Sequence, residues 1–450
     1  MVRLALPVVV AQVGMTLMGV VDTLMVGRIS SVALAAVALG NLYFLTFTVP
    51  AAGTLMVLDS VVAQAVGAGD VAGVARGVQR GVVLAILLAI ATSLLLLPVR
   101  SILVLLHQPD VLIEPAGTYV RVSILGVLPF LAFIVVRQSL QALGAVHAMV
   151  GVIVIANLVN AALNWVFVYG HMGSPALGAV GSAWATCVSR WLMALLLLLL
   201  GWRRLRGALM PWRPDSMARA PLLRMFALGL PIGLQQLMEM GAFSAIGVLM
   251  GVLGAREMAA HQIAINLASL TFMVPLGVGA AAAVRVGHAA GAGESERARE
   301  STRAALVCGV GFMALTGVFL LAAPRTIASW YTHEESVAAL AGTLIPIAGV
   351  FQVFDGIQAV CAGVLRGLGD TRAPLAINLA GFWLAGLPVS VVLGFYTPLR
   401  AAGLWWGFVA ALGAVAILLA LRVRHRLAYP IVRSNFEHDA QELAASAVAQ

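Results

Sequence analysis

The 450-residue chain is 62% hydrophobic and only 10% charged, and its mean hydropathy is +1.01. Soluble globular domains average about 25% charged residues, so this composition excludes an ordinary soluble domain and indicates a polytopic membrane protein. The net charge is +9, and every basic residue is an arginine.

Apolar stretches long enough to cross a membrane recur along the whole chain. A spanning helix needs about 20 apolar residues, and twelve stretches meet this requirement. We therefore predict an all-α polytopic membrane protein with twelve transmembrane helices. In chain order, the predicted spans are 4–26, 33–57, 78–98, 117–140, 147–169, 178–201, 224–250, 258–284, 302–323, 338–362, 374–396 and 402–421.

The arginines are distributed unevenly between the two sides that these spans define. With the N-terminus in the cytoplasm, 20 arginines fall on the cytoplasmic side, six fall outside and Arg190 lies within a span. Positively charged residues accumulate in cytoplasmic loops, so we expect both termini in the cytoplasm. The same asymmetry accounts for the basic charge, and no nucleic-acid partner needs to be invoked.

The second half of the chain repeats the first at an offset of 224–225 residues. Leu6-Pro7 recurs as Leu230-Pro231, for example, and further short matches follow in the same order. Each half holds six spans, an even number, so both copies enter the membrane in the same direction. This is a parallel internal repeat, an arrangement in which binding sites lie between or within the repeats.

The repeat divides the chain into two six-helix lobes with a connecting segment and a tail. The predicted parts are an N-lobe (1–201), an arginine-rich cytoplasmic inter-lobe linker (202–223), a C-lobe (224–422) and a cytoplasmic tail (423–450).

Three carboxylic acids lie inside apolar segments. Asp22 lies near the end of the first span, and Glu239 and Asp355 lie deep in the seventh and tenth. A charged residue at the centre of a span disfavours insertion by roughly 2.5–3.5 kcal/mol, so such residues usually face a cavity or a partner and mark ion or substrate pathways. None of the three has an acidic counterpart in the other repeat, as expected if the lobes differ in chemistry.

Amide side chains accompany two of these acids. Two glutamines lie one helical turn before Glu239, and two more flank Asp355 at spacings of three. They are Gln235, Gln236, Gln352 and Gln358. Oxygen ligands suit Na+, whereas burial disfavours the charged form of a carboxyl group, so the same acids can carry H+ near neutral pH. A network of hydrogen bonds between packed helices is the alternative.

Further polar residues lie at helical spacing in two other spans. Asn157, Asn160 and Asn164 share one face of the fifth span, where ligand contact and inter-helix hydrogen bonding both remain open. His261 and Asn266 lie at the start of the eighth span, and a histidine can titrate near physiological pH. Packing or capping is the alternative role for these two.

Neither a cofactor nor an enzymatic activity is indicated. Cys187, Cys308 and Cys361 lie in apolar segments without metal-ligand spacing. The chain lacks a Walker motif and an evident nucleophile–base pair, so we expect no enzyme. The coupling ion, Na+ or H+, is the only inorganic partner expected, with Na+ possible at Glu239 and Asp355.

Three segments together carry a resemblance to a known family. They are Leu6-Pro7 followed by Val21-Asp22-Thr23 and Gly27; Ala259-Ala-His-Gln-Ile-Ala-Ile-Asn266 followed by Pro275 and Arg285-Val-Gly-His288; and Gln352-Val-Phe-Asp355 followed by Gly363-Val-Leu-Arg-Gly367. They resemble the first helix of MATE (multidrug and toxic compound extrusion) transporters and the eighth and tenth helices of the NorM-like branch. The resemblance covers essentially residues 1–425.

This resemblance implies an antiporter that expels cationic and amphipathic compounds in exchange for Na+ or H+. It also implies two six-helix lobes. The acids that match Glu239 and Asp355 are implicated in cation coupling in the NorM-like branch, and the acid that matches Asp22 is functionally important in the N-lobe.

We therefore predict a monomeric multidrug efflux antiporter of the bacterial inner membrane that exchanges cytoplasmic cationic or amphipathic compounds for external Na+ or H+. Small lipophilic molecules and the lipid bilayer are its expected partners. A lipid-linked precursor flippase of the same superfamily is the main alternative, and it would have a more cationic cavity and often additional helices. A channel is a further alternative, which would pass ions without a counter-substrate.

Overall fold

The computed structural model describes residues 1–431, and every regular element in this range is helical. Of the predicted tail, residues 432–450 lie outside the described range. The helices of the first half are α1 (Val2–Gly27), α2 (Ser31–Leu55), α3 (Leu58–Gly67), α4 (Val71–Leu96), α5 (Val99–Leu105), α6 (Asp110–Ile124), α7 (Val127–Ala142), α8 (His147–Tyr169) and α9 (Ala179–Leu209).

The second half begins after a short 3₁₀ turn at Pro214–Met217. Its helices are α10 (Arg219–Leu253), α11 (Ala255–Gly291), α12 (Ser295–Ala322), α13 (Pro324–Tyr331), α14 (Glu335–Gly367), α15 (Arg372–Asn378), α16 (Leu387–Phe395) and α17 (Arg400–Ala428), with a π-helical turn at Leu379–Gly386 joining α15 to α16.

The prediction of twelve membrane spans is confirmed for residues 1–431. Eleven continuous helical stretches are long and apolar enough to cross a membrane, and the bent pair α6 and α7 supplies the twelfth. The fourth predicted span, 117–140, is therefore not one straight helix, because α6 and α7 meet at an angle of 47°. Two helices also extend into the predicted linker, since α9 ends at Leu209 and α10 begins at Arg219.

The internal repeat recurs in the order and length of the elements. Each half has a short helix, α5 or α13, between its third and fourth spans, and a shift of 225 residues superimposes Val99–Leu105 on the start of Pro324–Tyr331. Where the first half breaks into α2 and α3, the second half has the single helix α11. The prediction of two six-helix halves related by a parallel repeat is thus confirmed at the level of the elements.

Tight turns between spans repeat in atomic detail. The turn after α3 places Gly69 at φ +68°, and its counterpart after α11 places Gly293 at φ +73°. In both turns the amide of the following acid bonds the carbonyl five residues earlier, from Asp70 to Ala65 and from Glu294 to Ala289. A positive φ at this position favours glycine, which has no Cβ to clash.

The chain forms two compact units that nearly coincide with its halves. The first unit comprises Val10–Gly233, and the second comprises Met1–Val9 together with the described residues from Leu234 onward. Helices α1 and α10 therefore each contribute to both units. The first 15 of the 35 residues of α10 belong to the first unit.

The segment between the two halves is held firmly within the first unit by one buried glutamine. Gln79 of α4 is fully buried, and both ends of its amide are used. Its Nε2 donates to three backbone carbonyls at 3.0–3.3 Å, while its Oε1 accepts two hydrogen bonds at 2.7 and 2.9 Å. The carbonyls belong to Ala208, Leu209 and Pro211, and the donors are the Arg213 amide and the Ser216 hydroxyl.

Candidate functional site

The second unit contains the acids of the seventh and tenth spans, Glu239 on α10 and Asp355 on α14. The two carboxylates lie close enough for their charges to interact. Asp355 is buried, at 3% exposure, and its Oδ1 has no hydrogen-bond partner among residues 1–431. Glu239 likewise makes no hydrogen bond within this range. Most buried polar groups in proteins are hydrogen-bonded, so this pair has the oxygens free to receive a cation.

The glutamines that flank Asp355 have different environments. Gln352 is committed to packing, since it donates to the Met313 carbonyl and the Thr316 hydroxyl and accepts from the Thr271 hydroxyl. Gln358, one turn beyond the acid, is buried with its Oε1 unpaired among the described residues. Gln358 is therefore the better placed of the two to offer an oxygen beside Asp355.

The two glutamines that precede Glu239, Gln235 and Gln236, are both partly exposed on α10. The carbonyl of Met238, next to the acid, accepts a hydrogen bond from the indole of Trp383 at 3.0 Å. Trp383 lies in the π-helical turn between α15 and α16, and such turns are frequent at functional sites. This contact fixes the helix backbone at the acid, and no pattern in the sequence indicated it.

Aromatic rings pack on the face of α14 that lies one turn before Asp355. Phe351 packs against Phe243, Phe408 and Trp405 at centroid distances of 5.8, 5.7 and 5.8 Å. The cluster forms part of the apolar core of the second unit. Phe351, Trp405 and Phe408 are only 1%, 2% and 3% exposed, so the cluster holds its helices together.

His261 and Asn266 of α11 do not form one site. His261 is buried against the ring of Trp405, and its Nδ1 has no partner among residues 1–431. Asn266 instead accepts a hydrogen bond from Gln262 one turn earlier, at 3.3 Å on an exposed surface. Of the two, His261 is the one that lies beside the aromatic cluster.

The first unit holds its own acid, Asp22, in a cage of hydrogen bonds. The carboxylate is 6% exposed. Asn164 of α8 donates to its Oδ1 at 2.6 Å, and the hydroxyl of Thr186 on α9 donates to its Oδ2 at 2.5 Å. Asn160 completes the cluster, because it donates to Thr186 and accepts from Asn164. Two of the three predicted asparagines thus meet Asp22, and Thr186 is a member that sequence patterns did not indicate.

The third asparagine, Asn157, has a different neighbour. Its Nδ2 donates to the carbonyl of Gly14 on α1 at 3.0 Å and to the carbonyl of Ile153 on its own helix at 2.9 Å. Gly14 also packs closely against Ile153. Asn157 therefore joins α8 to α1 about two turns away from the carboxylate.

Arg190 is a charged side chain in the same unit. Its guanidinium lies over the rings of Phe44 and Phe130, at 4.5 and 5.3 Å from their centroids. Its charge interacts with Asp22 and with Tyr119. The first unit thus presents an arginine and a carboxylate, whereas the second presents two carboxylates.

Clusters suited to a transition metal are absent from residues 1–431, where no three His, Cys, Asp or Glu side chains come together. The carboxylates and amides of the two units are hard oxygen donors, which match Na+ in type.

Comparison with known proteins decides the family. The MatE family profile matches residues 7–166 and 231–392. A protein named Multidrug resistance protein NorM, from Burkholderia vietnamiensis, is 39% identical over 429 residues, which cover 93% of this chain and 92% of that protein. The chain therefore belongs to the MATE family.

More distant MATE relatives agree. Multidrug resistance protein MdtK of Edwardsiella ictaluri is 33% identical over 94% of both chains. The crystal structure of the eukaryotic MATE transporter AtDTX14 has the same fold, with a TM-score of 0.85, 23% identity and coverage of 99% of this chain and 97% of that one. The resemblance to the NorM-like branch is confirmed, and the protein is a multi-pass membrane transporter and not an enzyme.

The two MATE-matched ranges contain all three membrane acids, Asp22, Glu239 and Asp355. Thr186 and Arg190 lie between the ranges, in residues 167–230.

Proposed function

We propose that this MATE protein is a multidrug efflux antiporter, which exchanges cytoplasmic cationic or amphipathic compounds for external Na+ or H+. The observation that carries the proposal is the interacting, unbonded pair Glu239 and Asp355. Two carboxylates in an apolar environment disfavour the state in which both are ionised. A proton, a Na+ ion or a cationic substrate would relieve this repulsion. The three would therefore compete for the same pair of carboxylates.

Competition for one site becomes antiport when each ligand favours a different conformation. An ion shifts a conformational equilibrium only if it binds one state better than the other. We infer that external Na+ or H+ binds the outward-open state at the acid pair and that the substrate binds the inward-open state.

The arrangement in the cell follows from the arginines. The cytoplasmic excess of 20 arginines over six supports both termini in the cytoplasm. The bacterial origin of the NorM relatives supports a location in the bacterial inner membrane. We propose that it acts as a monomer on small lipophilic molecules taken from the cytoplasm or the inner leaflet and that it has no nucleic-acid partner. Na+ or H+ serves as the coupling ion.

Reconstituted liposomes test this proposal. Ethidium movement is measured first under an imposed Na+ gradient and then under a pH gradient, for the wild type, Glu239→Gln and Asp355→Asn. We expect gradient-driven ethidium movement in the wild type. The rate of this movement should fall at least tenfold in each variant, because each variant leaves only one carboxylate to attract the cation. The gradient that drives movement names the coupling ion.

Glu114→Gln serves as the matched control, since Glu114 is an exposed acid on α6 that lies 3.6 Å from Arg121. It should transport like the wild type. Full activity in both Glu239→Gln and Asp355→Asn would refute coupling at this pair. A folded wild type that responds to neither gradient would refute antiport and favour the lipid-linked precursor flippase.

A further inference from the structure

A tryptophan indole contacts the helix that carries Glu239. Trp383 donates a hydrogen bond from its Nε1 to the carbonyl of Met238 on α10, at 3.0 Å. The same indole packs on Gly241, where a Cβ would come within 3.0 Å of the ring carbon Cζ2. Because glycine has no Cβ, the ring can approach the backbone of α10 at this position. Trp383 therefore contacts the helix both just before and just after the acid in sequence.

The indole lies on the side of α10 away from the acid. Successive residues of an α-helix are about 100° apart around the helix axis, so positions 239 and 241 are about 200° apart and lie on nearly opposite faces. The ring that packs on Gly241 is therefore behind Glu239. The charge with which Glu239 interacts is that of Asp355. A helix that is supported from behind keeps its acid turned towards this partner.

The π-helical turn between α15 and α16 holds Trp383 in this position. Its neighbour in the turn, Phe382, packs on Phe408 of α17 with 5.3 Å between the ring centroids. Gly381 packs closely against Val415 of the same helix. A π-helical turn departs from the regular spacing of side chains along an α-helix, so two consecutive rings can reach two different helices. The turn is thus fixed on α17, while Trp383 extends from it to α10.

We propose that Trp383 is a positioning residue, which holds Glu239 opposite Asp355 and so sets the affinity of the acid pair for the coupling cation. The attraction between a cation and a carboxylate weakens as the distance between them grows. Side chains that do not touch the ion can fix this distance, because they hold the groups that do. The inference rests on the proposed function, in which this pair takes up Na+ or H+.

Trp383→Phe tests the proposal, because it removes the N–H donor and keeps an aromatic ring. The rate of ethidium movement into liposomes is measured against increasing Na+ at constant pH, and then against increasing H+ without Na+. We expect the variant to raise the half-saturating concentration of the driving ion at least threefold and to keep the maximal rate within twofold of the wild type. Loss of stability alone would do the opposite, since it lowers the amount of active protein and leaves the half-saturating concentration unchanged.

Gly241→Ala disturbs the same contact from α10. Its added Cβ displaces the indole, so it should also raise the half-saturating concentration of the driving ion at least twofold. Phenylalanine lacks the six-membered ring of the indole, which carries Cζ2, so Gly241→Ala should add no further change to Trp383→Phe. The Gly241 variant also decides the question if Trp383→Phe fails to fold.

Each variant has a matched control in the second unit. Trp405→Phe shortens a buried tryptophan whose Nε1 has no hydrogen-bond partner among residues 1–431. Gly251→Ala adds a Cβ to α10 at a position where no atom lies within 4 Å of it. Both controls should keep the wild-type half-saturating concentration. Wild-type values in both Trp383→Phe and Gly241→Ala would overturn the proposal.

A measurement without transport separates this proposal from the proposed function. Dicyclohexylcarbodiimide modifies protonated carboxyl groups, and mass spectrometry follows its reaction with Glu239 at neutral pH. Asp355→Asn removes the neighbouring charge, and Trp383→Phe should change the reaction rate in the same direction, at least twofold, because it loosens the same interaction. A wild-type rate in Trp383→Phe would overturn the positioning role, whatever the transport result. The expected change without ethidium movement under either gradient would keep the positioning role and refute antiport.

Discussion

A single hydroxyl group holds one edge of the Asp22 carboxylate. Thr186 donates to Oδ2 at 2.5 Å and also accepts from Asn160 at 3.4 Å. The contact joins α1 to α9 across 164 positions of sequence. Because the carboxylate is 6% exposed, water is poorly placed to replace a lost donor.

We predict that Thr186→Val destabilises the protein by about 1–3 kcal/mol, because it keeps the shape of the side chain and leaves a buried acceptor without a partner. Thermal unfolding in detergent measures the effect. Thr48→Val is the control, since the hydroxyl of buried Thr48 bonds only the Phe44 carbonyl on its own helix. Equal melting temperatures for the two variants would show that the Thr186 bond contributes nothing.

The residue scale also shows which site residues sequence patterns can reveal. Glu239 and Asp355 were predictable because an acid in an apolar run is visible at once. Asn160 and Asn164 were predictable as one helical face, but the meeting of that face with Asp22 was not. Thr186 carries no such signal, since a threonine in a span usually bonds its own helix, as Thr48 does here. Its role depends on a contact between helices that no local spacing encodes.

At the scale of elements, the connection between the two halves is ordered by α4. Gln79 satisfies three carbonyls and two donors of residues 208–216, which run from the end of α9 into the 3₁₀ turn. A polar segment that leaves a membrane span needs partners for its backbone groups. The Gln79 side chain therefore supplies hydrogen-bond partners to backbone groups that would bond one another in a regular helix.

We predict that Gln79→Leu opens this segment to trypsin, which cleaves after arginines such as Arg213. Five hydrogen bonds are lost, and a net loss of only about 1.4 kcal/mol raises the population of the open form about tenfold. The cleavage rate of the native protein should therefore rise at least about tenfold. Gln108→Leu is the control, because Gln108 is partly exposed and bonds only the nearby Leu106 carbonyl. Equal cleavage rates would contradict the assigned role.

Element boundaries were the part of the fold that sequence described least well. The apolar run 117–140 gave no sign of the 47° bend between α6 and α7, because hydropathy reports burial in lipid and not the direction of an axis. The sequence likewise gave no sign of the π-helical turn that contains Trp383. The number of spans and the repeat, by contrast, were readable, since each depends on long apolar runs and on their order.

At the scale of the whole molecule, the scaffold is symmetric and the chemistry is not. The turns at Gly69 and Gly293 share their φ angles and their hydrogen-bond pattern. The acids break the symmetry, since Glu239 and Asp355 belong to the second unit and Asp22 to the first. A duplicated backbone thus supports two different sites, one for paired carboxylates and one for a carboxylate beside an arginine.

If the backbone is symmetric, equivalent turns in the two halves should respond equally to the same substitution. Gly69→Ala and Gly293→Ala each force a residue with a Cβ into a left-handed conformation, which costs about 1–2 kcal/mol. A Cβ at either site meets no atom within 4 Å, so backbone strain is the only expected effect. The two losses of unfolding free energy should therefore be equal, and they should add in the double variant because the turns share no partner.

Gly151→Ala is the matched control for this pair. Gly151 lies inside α8, and a Cβ there also meets no atom within 4 Å, but alanine is favoured over glycine in a helix by about 0.8–1.0 kcal/mol. The control should therefore gain stability where the turn variants lose it. Unequal losses at Gly69 and Gly293 would mean that the two halves respond differently to the same strain. The two halves would then share their backbone conformation but differ in the stability of equivalent turns. The asymmetry of the molecule would in that case include its scaffold as well as its acids and Arg190.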